Sequence, residues 1–371
     1  MKTSLVGRLV ALALGASQIA SCSAGAARLA PDSASALPSY VRLSSSANRS
    51  AQENIPSAIP PALRARIQLG VHPAWMRTTG DATFDDGYTY VGQEFGSTIN
   101  QYPTNNPHNL APRCTIPNSD YHPLGMTTDK SGTLYFTAGY VGGPLGVLTF
   151  GANCGRPGLR YAEDYGNPQD PVVDGRTLYL TTLTGGINGP ANILVYSTVP
   201  SAAAPGTTLR ELSYPSVLTA VGVAVDSHHN LFWSAASQNY NDGFVVEFID
   251  GQMPGRLLSV TKLGADYPGG VMIDRADNLL LIDQNKSSVF VYAPPYTSRP
   301  FKTIVLKGNS LYCALGLRQV RLYCMDVQYG SVDAYTYPGG AYVYSYNNGM
   351  QAGSAIGIAI QPPIPPVKSQ R

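Results

Sequence analysis

Three observations predict an all-β fold, a six-bladed β-propeller of four-stranded blades. Glycine-centred apolar runs recur at intervals of 41 to 52 residues, with anchors at positions 125, 170, 222, 270, 316 and 357. Each run leads into an Asp/Asn/Gly-rich turn and then a second strand, usually opening on Leu and an aromatic. Charged residues make up only 13% of the 371, roughly half the usual share, while Gly, Pro and Tyr are abundant. Short strands joined by tight turns, repeated at 40 to 50 residues, are the pattern of propeller blades.

The chain starts with an export signal. Lys2 and Arg8 lie ahead of a short apolar stretch, Leu9–Ala16, followed by Ile19-Ala20-Ser21-Cys22. A basic start, a short hydrophobic segment and small residues before a cut site describe a signal peptide, and the run is too short to span a bilayer. The four residues ending on Cys22 resemble the lipobox of bacterial lipoproteins, which implies cleavage before Cys22 and lipid attachment there. The competing reading is ordinary secretory cleavage nearby. Residues 1–21 are thus assigned to the signal and 22–61, rich in Ala, Ser and Pro, to a flexible tether. Residues 62–82, with Trp75, are expected to pack along the domain, 83–362 to form the propeller and 363–371 a disordered tail. Ser23 after the cysteine favours an outer-membrane or cell-surface location, facing periplasm or medium. A formal net charge of +2 without a dense Lys/Arg stripe excludes nucleic acid as a partner.

The repeats run in order. Inner strands contain Leu124-Gly125-Met126, Asp170-Pro171-Val172-Val173 (a degenerate copy), Val221–Val225, Gly269–Ile273, Leu315-Gly316-Leu317 and Ile356–Ile360. Turns follow at Asp129–Gly132, Asp174-Gly175, Asp226–Asn230 and Asp274–Asn278. Second strands open at Leu134, Leu178, Leu231, Leu279 and Leu322, and third strands end on Tyr102, Phe150, Tyr196, Phe248, Tyr292 and Tyr335. Small residues suit strands crowded round an axis, and bulky ones fill the widening gap between blades. Tyr102 precedes the first anchor and Gly357 follows the last aromatic. The C-terminal strand, about 353–361, is therefore expected to close the ring by joining the first blade, about 83–120.

With Cys22 lipidated, four cysteines remain in an oxidising compartment. Cys313 and Cys324 flank a hairpin turning at Arg318-Gln319, which places the two sulfurs opposite each other, and Cys114 and Cys154 pair by elimination. A zinc site is disfavoured because no Cys-x-x-Cys spacing occurs. The unit from Gly222 to Phe248, and that from Pro268 to Tyr292, resemble NHL-type blades. The wider resemblance takes in the gluconolactonase-like and streptogramin-lyase-like propellers and covers about three quarters of the chain. It implies fold more than activity.

The loops between second and third strands share a face with those entering the inner strands, and propellers usually bind there. That face would carry Gln93, Glu94, His122, Tyr140, Asn188, Tyr240, Asn241, Asp283, Gln328 and Tyr329, groups suited to a glycan, peptide or protein partner. The plainer reading is that polar residues there simply build turns. Asp283 and Asp326 hold one position in adjacent blades; they are weak Ca²⁺ candidates, with turn capping as the favoured role. The resemblance to gluconolactonases implies a divalent metal held at the channel mouth. Of five Glu, however, only Glu94 falls near the proposed face, and His122 is the one histidine placed near the channel. No phosphate loop or nucleophile elbow appears. The expected function is a monomeric, non-enzymatic binding module with no cofactor, and a metal-dependent lactonase-like hydrolase or lyase is the alternative.

Overall fold

Strands of three to seven residues, with small residues in the inner ones and aromatics further out, cannot stack flat. They splay round an axis, and a ring results. The computed structural model describes residues 87–94, 98–117, 122–139, 146–163, 168–183, 190–199, 206–237, 242–263 and 267–361. It contains β1 (Tyr88–Gln93), β2 (Thr98–Pro103), β3 (Cys114–Pro117), β4 (His122–Thr128), β5 (Leu134–Gly139), β6 (Gly146–Phe150), β7 (Pro157–Ala162) and β8 (Pro168–Asp174). Next come β9 (Thr177–Thr182), β10 (Ile193–Ser197), β11 (Arg210–Leu212), β12 (Thr219–Val225), β13 (Leu231–Ala236), β14 (Gly243–Phe248), β15 (Arg256–Leu258) and β16 (Pro268–Ile273). The last are β17 (Leu279–Asp283), β18 (Ser288–Tyr292), β19 (Lys302–Val305), β20 (Cys313–Leu315), β21 (Arg321–Asp326), β22 (Ser331–Thr336), β23 (Tyr342–Tyr346) and β24 (Ala355–Gln361).

They form six four-stranded antiparallel sheets, a six-bladed propeller. Five sheets are consecutive in sequence, and the first is β24-β1-β2-β3. In that closing blade Gly92 pairs with Gly357 and Tyr90 with Ala359, as the phase of the repeats predicts. All six third-strand aromatics lie at or near the ends of β2, β6, β10, β14, β18 and β22, and all are buried or half-buried.

Inner strands meet at their small residues. A Cβ on Gly357 would collide with the Leu124 carbonyl and one on Gly125 with the Gln169 carbonyl, while one on Gly222 would lie 2.6 Å from Gly270 Cα. At these same places the register slips, between Pro123 and Met126, Pro168 and Asp170, Ala220 and Gly222, and Pro268 and Val271. The bulges bend each strand round the axis. One anchor differs from expectation. Gly316 lies beyond β20, in the turn where its N–H donates to Arg321 O. The short inner strand of the sixth blade brings Tyr312 to the hub instead, because only three residues pair with β21.

The first turns are capped by one device. Asp129, Asp226 and Asp274 each accept two backbone N–H groups through Oδ1, at 2.8–2.9 Å, the Asx-turn geometry that competes successfully with further strand. The seam is reinforced at both flanks of the closing blade. The Cys114–Cys154 disulfide joins β3 to the β6–β7 turn of the second blade, and the Asn109 side chain accepts from the N–H groups of Asn347 and Asn348 in the sixth. Cys313–Cys324 links directly opposed residues of β20 and β21. Two disulfides suggest an extracellular or periplasmic protein. Among the described residues no helix is long and apolar enough to cross a membrane.

Candidate functional site

Two places merit the name of a site: the loop face, and the propeller axis. On the loop face, several of the polar residues singled out from sequence are occupied in the fold. Gln93 is buried; its Nε2 donates to Thr98 Oγ1 (2.9 Å) and Gly349 O (3.1 Å), and its Oε1 accepts from Gln351 N. Asp283 is fully buried at the end of β17, accepting from Lys286 N at 3.0 Å with Lys286 Nζ 3.6 Å away. Asp326, equally buried at the end of β21, accepts from the N–H groups of Gln328 and Tyr329. These contacts brace the second-to-third-strand turns of blades five and six.

Burial beside the Asp333 carboxylate pushes Asp326 up to about 8, against the pull of Lys307. Asp333 is held by Ser345 Oγ (2.6 Å) and approached by Lys307 Nζ at 3.8 Å. Glu94 is half-buried, and desolvation lifts its carboxyl to about 7. His122, half-buried at the start of β4, is lowered by desolvation. Gln328 and Tyr329 are also half-buried. Cys22, Tyr140, Asn188, Tyr240 and Asn241 lie outside the described residues.

The axis is closed toward that face. From the sixth blade, the Tyr312 side chain crosses the hub and its hydroxyl donates to Gln169 O of the third blade at 3.0 Å, with Val221 O of the fourth at 3.4 Å. Tyr312 packs in one buried cluster with Leu124, Val221, Tyr267, Leu311 and Ile356, which join blades one, two, four, five and six. Below this plug lies a cavity of about 270 Å³, walled by all six inner strands along the halves that lead to the first turns. Its mouth therefore faces away from the loop face. Asp170 lines the cavity at the plugged end, in the slot that glycine fills in blades two, four and five. It is 8% exposed. Its Oδ2 accepts from Val223 N at 3.2 Å, and burial holds the carboxyl well above the ordinary carboxylate range, against that single hydrogen bond.

The sequence pattern marks neither Tyr312 nor Asp170 as functional. The signal for Asp170 was its place in the anchor series, the one carboxylate among glycines. Tyr312 left none, because the nearby glycine suggested a different register.

The fold is shared with solved structures at low identity. A chain of the nidogen/laminin complex superposes with TM-score 0.60 and 17% identity, covering 74% of this chain and 98% of that one. A protein of unknown function from Bacteroides caccae gives TM-score 0.55 and 14% identity over 75% of this chain and 100% of that one. A functionally unknown protein from Desulfotomaculum acetoxidans gives 0.50 and 14%, again over 75% and 100%. No protein-family model and no curated protein matches the sequence. These likenesses establish the fold and leave the activity to the site.

Proposed function

We propose that this chain is an exported lipoprotein, anchored through acyl chains on Cys22, whose propeller is a binding module engaging a glycan, peptide or protein on its loop face. The observation that carries the binding role is the Tyr312 plug. Among the described residues the hub is sealed at that end by Tyr312, so the axis offers no mouth on that side in which a metal-lined lactonase site would sit. That arrangement favours a partner contacted through the loops of several blades. The buried Gln93, Asp283 and Asp326 shape the loops, and the half-buried Glu94, His122, Gln328 and Tyr329 are the groups that would touch the partner. That one solved chain of similar fold comes from a protein–protein complex is in keeping with this role.

The anchor is tested by mass spectrometry of the mature N-terminus, where an acylated Cys22 is expected; Cys22→Ser should release the protein from the membrane fraction. For binding, the purified protein is screened on glycan and peptide arrays. Tyr329→Ala and Gln328→Ala should weaken any hit at least tenfold, about 1.4 kcal/mol or more, and Gln328→Ala should do so without altering the melting temperature. A hit unaffected by both variants would remove the loop face from the account.

One observation favours a second reading, a hydrolase or lyase of the lactonase sort. Glu94, lifted to about 7, lies in the range that suits a general acid or base, and His122 opens the inner strand of the neighbouring blade. Lactone turnover on a metal-supplemented sample, with a pH profile bending near 7 and lost in Glu94→Gln, would establish that reading. The binding reading expects no turnover.

A further inference from the structure

We propose that the axial cavity is a second, independent ligand site, taking a small polar molecule with an ammonium or amidinium head seated on Asp170. Four observations lead there.

The first is the unspent carboxyl oxygen. Asp170 Oδ2 accepts one hydrogen bond, from Val223 N, while Oδ1 takes none from the described residues, and the side chain lines the cavity floor although more than nine-tenths buried. A buried carboxyl with neither a counter-charge nor a full set of donors is costly to keep. The third blade keeps one where its neighbours use glycine.

The second is the sign of the charge. Asp170 and the neutral phenol of Tyr312 are the only ionisable side chains among the described residues lining the cavity, since Cys313 is tied in a disulfide. No cationic side chain lines it to receive an anion. A cation finds a partner in Asp170, with the ring of Tyr312 beside it.

The third concerns the walls. Each inner strand is the terminal strand of its sheet, so alternate N–H and C=O groups along its free edge face the axis. Val223 N–H, used by Asp170, and the Gln169 and Val221 carbonyls, reached by Tyr312, are three of these groups. Walls offering both donors and acceptors fit hydroxyl, amide or amine groups on the body of a ligand.

The fourth is size. The cavity, about 270 Å³, far exceeds the needs of one bare metal ion. A Ca²⁺ site also requires about six to eight oxygens, and the lining side chains supply few beyond Asp170, one of which, Thr128 Oγ1, is already turned to Ile360 O.

The binding step balances one proton. Burial favours the protonated form of the carboxyl while the cavity is empty. An arriving ammonium keeps its own protons, and Asp170 releases one to solvent as the ion pair forms. Affinity should then rise with pH until the empty-state carboxyl is fully ionised.

The test is titration calorimetry of the mature protein with ethanolamine, acetamidine and calcium chloride, each at millimolar concentration, from pH 6 to pH 8.5. One saturable site is expected for ethanolamine or acetamidine. It should release up to one proton per ligand, tighten with pH, and weaken at least tenfold in Asp170→Asn, which keeps the Val223 hydrogen bond. The proton count on the unaltered protein stands even if that variant misfolds. Binding that is pH-independent and unchanged in Asp170→Asn would overturn the proposal, as would calcium binding without amine binding, or no saturable heat from any probe. Loop-face variants such as Tyr329→Ala should leave this site untouched, so its fate is separate from that of the partner-binding face.

Discussion

At the hub, one hydroxyl ties opposite sides of the ring together. Tyr312 reaches from the sixth blade to carbonyls of the third and fourth, all within the buried interior. Tyr312→Phe keeps the ring and removes the hydrogen bonds, leaving two carbonyls facing a hydrocarbon. It should cost about 1–2 kcal/mol by denaturant titration. Tyr312→Ala would in addition open the plug, at roughly 3–5 kcal/mol by analogy with other large-to-small core changes. If Tyr312→Phe proves neutral, the hydroxyl is not the clasp described. Sequence periodicity could not assign this residue a role. A repeat reports what recurs, and Tyr312 matters because it breaks the recurrence, entering the hub just ahead of a strand only three residues long. Asp170 was visible as the odd member of a series, yet its consequences depend on a cavity that no spacing encodes. The roles of Asp283 and Asp326 were easier to read: an Asp closing a strand before a polar turn is a capping pattern, and the backbone N–H groups two or three residues on complete it.

Among the elements, β24 carries the most. It supplies the inner strand of the first blade, and its last residue works beyond its own sheet. The Gln361 side-chain oxygen accepts from Tyr90 OH (2.6 Å), Gln101 Nε2 (2.9 Å) and Asn153 N (3.0 Å), and its Nε2 donates to Asn153 Oδ1, so one amide joins blades one and two. Truncation before Gly353 removes all of this and exposes the edge of β1. Cooperative unfolding should disappear, and calorimetry showing a single sharp transition in the truncated chain would count against ring closure as the source of cooperativity. The Cys114–Cys154 disulfide spans the same pair of blades, closing a loop of sequence separation 40. In the chain-entropy account such a loop contributes about 4 kcal/mol. The paired Cys114→Ser, Cys154→Ser variant should therefore lose more stability than the Cys313→Ser, Cys324→Ser variant, whose separation is 11 and whose loop contributes about 3 kcal/mol. Blade order, closure and both pairings were legible because they depend on phase and count. The clasp through Gln361 was not, since a glutamine at a strand end carries no pattern of its own.

Over the whole molecule, buried carboxyls set the response to pH. Asp170 is held well above its ordinary range, Asp326 is raised to about 8 and Glu94 to about 7, each chiefly by desolvation. In the unfolded chain the same groups titrate near 4. Between about pH 4 and pH 8 the folded protein thus holds protons that the unfolded chain has released, and stability must fall as pH rises through that window. Asp277, lowered, against desolvation, through its bonds from Ser227, acts in the opposite sense only below that window, and His122, lowered by desolvation, opposes the trend within it near pH 6 but as one group against three. The raised tyrosines, Tyr102 and Tyr292 at about 12 among them, extend the decline into alkali without touching the neutral range. A tenfold difference in proton affinity between folded and unfolded chain is worth at most about 1.4 kcal/mol, and each kcal/mol moves the midpoint by roughly 2 °C in a domain of this size. Scanning calorimetry should accordingly find the melting temperature several degrees higher at pH 5 than at pH 8. Asp326→Asn retains the oxygen that receives Gln328 and Tyr329 N–H and cannot ionise, so it should flatten the slope and stabilise the protein at pH 8 relative to the parent. Combining it with Asp170→Asn should remove most of what remains, the two sites being in different blades and additive on that account. Equal melting temperatures at pH 5 and pH 8 in the parent would mean that these carboxylates reach water when charged, and with it that the axial floor is wetter than its packing implies.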